Sequence, residues 1–218
     1  MPSVTDHCNV ALSHIGADAV VVSISPPDGS VEAGHCARFY PIVRRELIEA
    51  HPWSFTKARA TLAEVANPST IWSYAYSLPS DCINTLRVLP LTDVNAYLLA
   101  WDYTQNGEQS VAQMLDEHDS VAFDIEGDVL LTHEPEAVLI YQRDVTDTTK
   151  FSPTFGSALG YLLAGYLAGP IIKGLDGARI GAALRKQGFE MMAKAAAADS
   201  NGNVERVEVI PGQIKARA

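Results

Sequence analysis

Basic residues are scarce in this chain. Sixteen Lys and Arg stand against 26 Asp and Glu, a formal net charge of −10 over 218 residues. That balance lacks the clustered cations that hold a nucleic-acid backbone, and so argues against tight DNA or RNA binding. By itself the acid surplus means solubility. Cysteine is scarcer still: Cys8, Cys36 and Cys82 are odd in number and widely spaced, with no CxxC pair. No disulfide framework follows from such spacing, and buried thiols made in a reducing cytoplasm are expected. The N-terminal MPSVTDHCN has no basic region followed by an apolar run, so it does not read as a signal peptide. GxSxG, P-loop, GxGxxG and HExxH sequences are all missing.

Residues 155–172 (FGSALGYLLAGYLAGPII) carry no charge and just reach spanning length. Gly, Ala, Ser and Tyr dilute the stretch and Pro170 is expected to break its end, so a buried helix of a soluble protein fits better. Gly156, Gly160, Ala164 and Ala168 recur every fourth residue and form one ridge of small side chains. Such a ridge lets a second helix approach closely, whether from this subunit or from a neighbour.

The candidates for chemistry are few. His7-Cys8 and His35-Cys36 are two His-Cys dipeptides. Neighbouring residues on a helix point apart, so each offers one metal ligand at best, and no metal site is expected. Asp124, Glu126 and Asp128 alternate around Gly127, but Glu134 and Glu136 do not stand where a calcium loop needs its distal glutamate. A solvated hairpin is the simpler reading. With no nucleophile, base or cofactor motif, no catalytic residue, metal or cofactor is expected, and the chain does not read as an enzyme.

Periodicity predicts an α+β protein, helical at both ends with a β-rich middle. A helix is expected over 5–15, capped by Thr5 or Asp6 and ended by Gly16. A loop over 23–30 precedes a helix over about 31–50, kinked or restarted at Pro41. His51-Pro52 stops that helix. Trp53 and Phe55 then read as a hydrophobic plug at the junction with a sheet. Strands are expected over 71–78, 84–91, 121–126, 128–132 and 138–145, with a turn at 79–81 and a hairpin at Gly127. The polar stretch 102–119 reads as a long loop or a poorly packed helix. Helices follow from Ser152-Pro153 to about Gly169 and over about 178–198, the latter with Ile180, Leu184, Met191 and Ala195 on one side. The tail ends in a short apolar stretch and a basic end, the kind of segment that a partner orders.

Several landmarks then stand in a familiar order: Ala11-Leu12, Gly16, Tyr40, Arg44 to Leu47, and His51-Pro52-Trp53-Ser54-Phe55. Next come Tyr74, Tyr76, Leu78-Pro79-Ser80-Asp81-Cys82 and Leu86-Arg87-Val88. Tyr141, Arg143, Asp144-Val145, Phe151-Ser152-Pro153, Phe155, Ala158 and Leu159 close the series. This pattern resembles the tail tubular protein A family, the head-to-tail adaptors of short-tailed phages. The resemblance implies a helical bundle from residues 1–55 and 150–200, an inserted β-rich domain over 56–149, and a C-terminal tail over 201–218. It also implies a structural virion protein of the tail or neck, made in the bacterial host cytoplasm. Its partners would be a portal protein, a tail nozzle or tube protein, and further copies of itself in a dodecameric ring. Double-stranded DNA would pass through the lumen without specific binding, sliding past an acidic wall, and no membrane would be involved. Within that picture Val207, Val209, Ile210, Lys215 and Arg217 are the expected portal contact. Trp53, Phe55, Tyr74, Tyr76 and Pro79 are structural landmarks. The competing readings are a head-completion connector of a long-tailed phage, a virion-associated polysaccharide or cell-wall hydrolase, and a membrane-associated protein.

Overall fold

Residues 2–18, 20–90 and 120–202 are described by the structure, a computed structural model. They form an α+β fold with two antiparallel sheets, as expected. The chain divides into two units: one drawn from Met1–Val43 and Phe151–Ala218, the other from Arg44–Lys150. The first division falls at residue 44, inside a helix, whereas the sequence reading placed it at 55/56. The stretch 102–119 lies outside the described residues.

The first unit is helical. Helix α1, Val4–His14, is capped by Ser3, two residues before Thr5 and three before Asp6, the caps expected. The Ser3 hydroxyl accepts from the Asp6 amide at 3.2 Å, and the Asp6 carboxylate accepts from the Ser3 amide at 2.7 Å. This reciprocal box satisfies two donors that a helix start leaves open, and it makes Asp6 the third helical residue and not the cap. Helix α2, Val31–Glu49, runs through Pro41 without a restart. Pro41 stands on the exposed side, where the carbonyl that loses its partner can turn to water.

Helix α3, Pro153–Ile172, is capped by the Ser152 hydroxyl, which accepts from the Phe155 amide at 3.2 Å. It continues past Pro170, and Lys173 and Gly174, at φ +62° and +63°, turn the chain into helix α4, Gly174–Gly202. Among the described residues α3 is the one helix long and apolar enough to cross a membrane, and more than half of it is buried inside the protein.

The small residues of α3 serve two partners. A side chain at Gly156 would stand 3.0 Å from the His7 ring, and one at Gly160 would stand 3.4 Å from Val10, both on α1. Further along, a Cβ at Gly181 of α4 would lie 2.8 Å from the Gly165 carbonyl oxygen. One at Gly177 would lie 2.9 Å from that of Ala168. Only glycine permits an approach this close between two backbones. The ridge is therefore filled by the chain's own helices. The closeness also corrects the expected face of α4: Gly177, Gly181, Leu184, Gly188 and Ala195 are buried, while Ile180 is 38% exposed.

Among the described residues the second unit holds the last turn of α2 and seven strands. The first sheet has the order β1-β7-β4, from Lys57–Thr61, Ala137–Arg143 and Cys82–Pro90. The second has the order β2-β3-β6-β5, from Ala63–Glu64, Tyr74–Ser77, Val129–Thr132 and Phe123–Glu126. Between the sheets lie Val88, Leu139 and Tyr141 from one and Tyr76 and Leu130 from the other. The strand expected over 71–78 shrinks to β3, and Ile71 is 78% exposed. Asn67 and Ser69 explain this: the Asn67 amide donates to the Trp72 carbonyl, and the Ser69 hydroxyl accepts from the Ile71 amide. These local bonds replace a ladder. The hairpin at Gly127 forms as expected, with Gly127 at φ +66° and Glu126 paired to Val129.

Candidate functional site

A helix end leaves its final carbonyls without partners. At the end of α2, side chains from three other places take them. Trp53 Nε1 donates to the Leu47 carbonyl at 2.7 Å. Gln142 Nε2, from β7, donates to the Ile48 carbonyl at 3.0 Å and to the His51 carbonyl at 2.7 Å. Asn84 Nδ2, from β4, donates to the Glu49 carbonyl at 3.3 Å and to Gln142 Oε1 at 3.0 Å. Trp53 is fully buried and Gln142 nearly so, so the bonds to the Leu47 and Ile48 carbonyls form where water is excluded and an unpaired group is costly, whereas the Asn84 bond to Glu49 is exposed. The plug expected at Trp53 is thus also a cap.

One turn earlier Arg44 is buried. Its Nη2 donates to both Asp144 oxygens, at 2.6 and 2.8 Å. The exposed Arg45 reaches the same carboxylate more loosely, at 3.8 Å. The sequence reading missed Gln142, Asn84 and the Arg44–Asp144 pair as a unit. One signal was present: Gln142 is a neutral polar residue ending an apolar run in AVLIYQR.

The other landmarks are joints of the second unit. Phe55 lies 6.1 Å from the Trp53 ring, and the Tyr74 and Tyr76 rings stack at 6.4 Å. The Tyr76 hydroxyl donates to the Glu134 carbonyl at 2.9 Å. The Pro79 carbonyl accepts from the Cys82 amide at 2.9 Å and closes the expected turn.

A concavity of about 410 Å³ opens on the β1-β7-β4 sheet, lined by Lys57, Arg59 and Arg87 with Ile140, Leu86 and Pro52. Its cations come from distant parts of the chain. The register Arg59–Ile140–Arg87 sets them in one row across three strands, and Lys57 shares the face of Arg59 two residues away. Leu139 and Tyr141 turn into the core, so Ile140 between them faces outward. Among the described residues no ion pair engages Lys57 or Arg59. The alternation in Lys57-Ala58-Arg59 was readable in the sequence, whereas the partner Arg87 needed the strand pairing.

Among the described residues no group of three or more His, Cys, Asp or Glu converges as a metal ion needs. The two His-Cys dipeptides separate as expected: the buried Cys8 and Cys36 thiols share a hydrogen bond, while His7 stands 6.1 Å from the Phe151 ring and His35 stacks on Phe39. That bond, with burial, pushes the Cys8 thiol up, while the same bond pulls the Cys36 thiol down. Cys82 is only half-buried, unlike the other two. The acids Asp124, Glu126 and Asp128 are all exposed on the hairpin. Val207, Val209, Ile210, Lys215 and Arg217 lie outside the described residues.

His7 is 5% exposed, and its Nε2 has no hydrogen-bond partner among the described residues. Burial lowers its pKa below the ordinary histidine value, against a smaller opposing pull from Asp6. The unfolded chain then binds the proton more readily than the folded one. Stability from this group is full above the unfolded value of about 6.5 and is lost as pH falls toward the folded one. Thermal unfolding of wild type and His7→Gln between pH 7.5 and 5 is expected to show a steeper acid loss in wild type. Parallel profiles would rule His7 out as the source.

Compared with known proteins, the sequence matches no described family and no curated protein.

Proposed function

We propose that this chain is the head-to-tail adaptor of a short-tailed phage: a virion protein of the neck that forms a ring between the portal and the tail nozzle or tube, with DNA passing through. One observation carries the reading. A β-rich unit, Arg44–Lys150, interrupts a helical one, and two of the stretches that bear the family resemblance flank the strands of that unit. His51 to Phe55 follow the end of α2, and Phe151-Ser152-Pro153 begin α3. Docking requires surfaces and rigid joints, which the capped helix end supplies, and requires no reactive group. The tail residues Val207, Val209 and Ile210 would order against the portal, with Lys215 and Arg217 meeting acidic groups there.

Native mass spectrometry of the protein alone, of the cognate portal and of their mixture tests this. The expected result is addition of about one adaptor per portal subunit, as closed rings require. Deletion of residues 204–218 is expected to abolish that addition while leaving the circular dichroism spectrum unchanged. A protein that ignores the portal would overturn the adaptor reading, and portal binding by the truncated chain would overturn the role of the tail.

A further inference from the structure

We infer that Cys8 and Cys36 are a latent disulfide, a pair of thiols that a peroxide oxidises in place, locking α1 to α2. The inference goes beyond the adaptor reading and does not depend on it. Each thiol lies on the buried face of its helix, Cys8 with Ala11 and Leu12 on α1, and Cys36 with Ala33 and Tyr40 on α2. Both residues are fully buried, and the Cys8 thiol donates to the Cys36 sulfur. Spacing in the sequence pairs no cysteines, and helix packing is what brings these two together.

The connection between the helices holds the pair in position. The Asn9 side chain donates to the Val21 carbonyl at 3.0 Å and accepts from the Val21 amide at 2.8 Å. The returning chain is thereby fastened to α1 beside Cys8. Asp28 accepts from the Val22 and Ser30 amides at 2.8 and 2.9 Å, and the Ser30 hydroxyl accepts from the Ala33 amide at 3.1 Å, at the start of α2. Thiols already held in contact lose little freedom when a bond joins them.

Cys36 is the sulfur disposed to react first. Accepting the Cys8 hydrogen favours its thiolate, against burial and the Glu32 and Asp28 carboxylates. The Cys36 thiolate attacks one oxygen of hydrogen peroxide and the O–O bond breaks. The hydroxide released takes up the proton that Cys36 gave up, leaving a sulfenic acid on Cys36. Cys8 then attacks that sulfur: the S–S bond forms, the S–O bond breaks, and hydroxide departs as water with the Cys8 proton. Two thiols and one peroxide become one disulfide and two waters, with the sulfurs oxidised and the peroxide reduced. The oxidant has to be small, because neither thiol is exposed. Cys82 lies in the other unit and takes no part.

The test uses the full chain in native buffer, treated with hydrogen peroxide, quenched with catalase, alkylated and digested without reductant. Mass spectrometry is expected to find the Cys8 and Cys36 peptides joined, and dithiothreitol to release them. The oxidised protein is expected to unfold at higher urea than the reduced one, because a link between distant positions restricts the unfolded chain. Cys36→Ala is expected to lose that shift, and the wild-type peptide map decides the link without any variant. The inference is overturned by Cys8 and Cys36 staying free while the half-buried Cys82 is oxidised, or by links from either of them to Cys82. An oxidised form that unfolds at lower urea than the reduced one, or an equal shift in Cys36→Ala, would overturn it as well.

Discussion

Trp53→Ala is expected to destabilise the β-rich unit by about 3–5 kcal/mol, the range for truncating a buried aromatic. Two losses combine in that figure. The fully buried indole leaves a cavity, and the Leu47 carbonyl loses the donor that stood 2.7 Å away. Whole domains are stable by only about 5–15 kcal/mol, so this one change removes a large part of the margin. Trp53→Phe separates the two effects. It keeps most of the apolar area and loses Nε1, and is expected to cost about 1–3 kcal/mol, the penalty for an unsatisfied buried acceptor. Urea denaturation followed by circular dichroism reads both. An alanine variant within about 1 kcal/mol of wild type would show that the indole neither fills the junction nor caps the helix.

Arg44→Ala and Asp144→Ala are each expected to cost about 3 kcal/mol, the lower end for breaking a buried pair, because Asp144 keeps 24% of its side chain exposed. Either change strands the other charge. Arg44 is the more demanding partner: one nitrogen serves both carboxylate oxygens, and its buried Nε has no hydrogen bond among the described residues. The double variant Arg44→Met with Asp144→Leu removes both charges and keeps the bulk. It is expected to be more stable than either alanine variant, since an apolar pair carries no stranded charge. Arg45→Ala is expected to change little, because Arg45 is 62% exposed and its 3.8 Å contact is loose. A double-mutant cycle decides the matter: strictly additive losses would mean that Arg44 and Asp144 do not act as a unit.

Local chemistry explains which elements were legible in advance. Ser152-Pro153, His51-Pro52 and Gly127 start a helix, stop a helix and turn a hairpin through backbone preferences that need no distant partner. The same locality explains the misses. The strand expected over 71–78 alternates correctly, yet Asn67 and Ser69 capture its backbone first. Pro41 suggests a kink or a restart, yet α2 runs on without a restart, with the proline on its exposed side, whereas α3 ends two residues past Pro170. Gln142 and Asn84 are distant in the chain from the carbonyls that they satisfy, and pairing of β4 with β7 is what brings them together.

By itself, then, the order of residues determined the α+β class, the small-residue ridge of α3 and the apolar plug at Trp53, because each follows from periodicity, side-chain size or a proline's fixed angle within a few neighbouring positions. Only the tertiary structure decided which helices fill that ridge, which side chains close the end of α2, and that Lys57, Arg59 and Arg87 form one basic row. Those are contacts between residues tens of positions apart, and they exist only once strand register and helix packing have brought them within a few ångströms of each other.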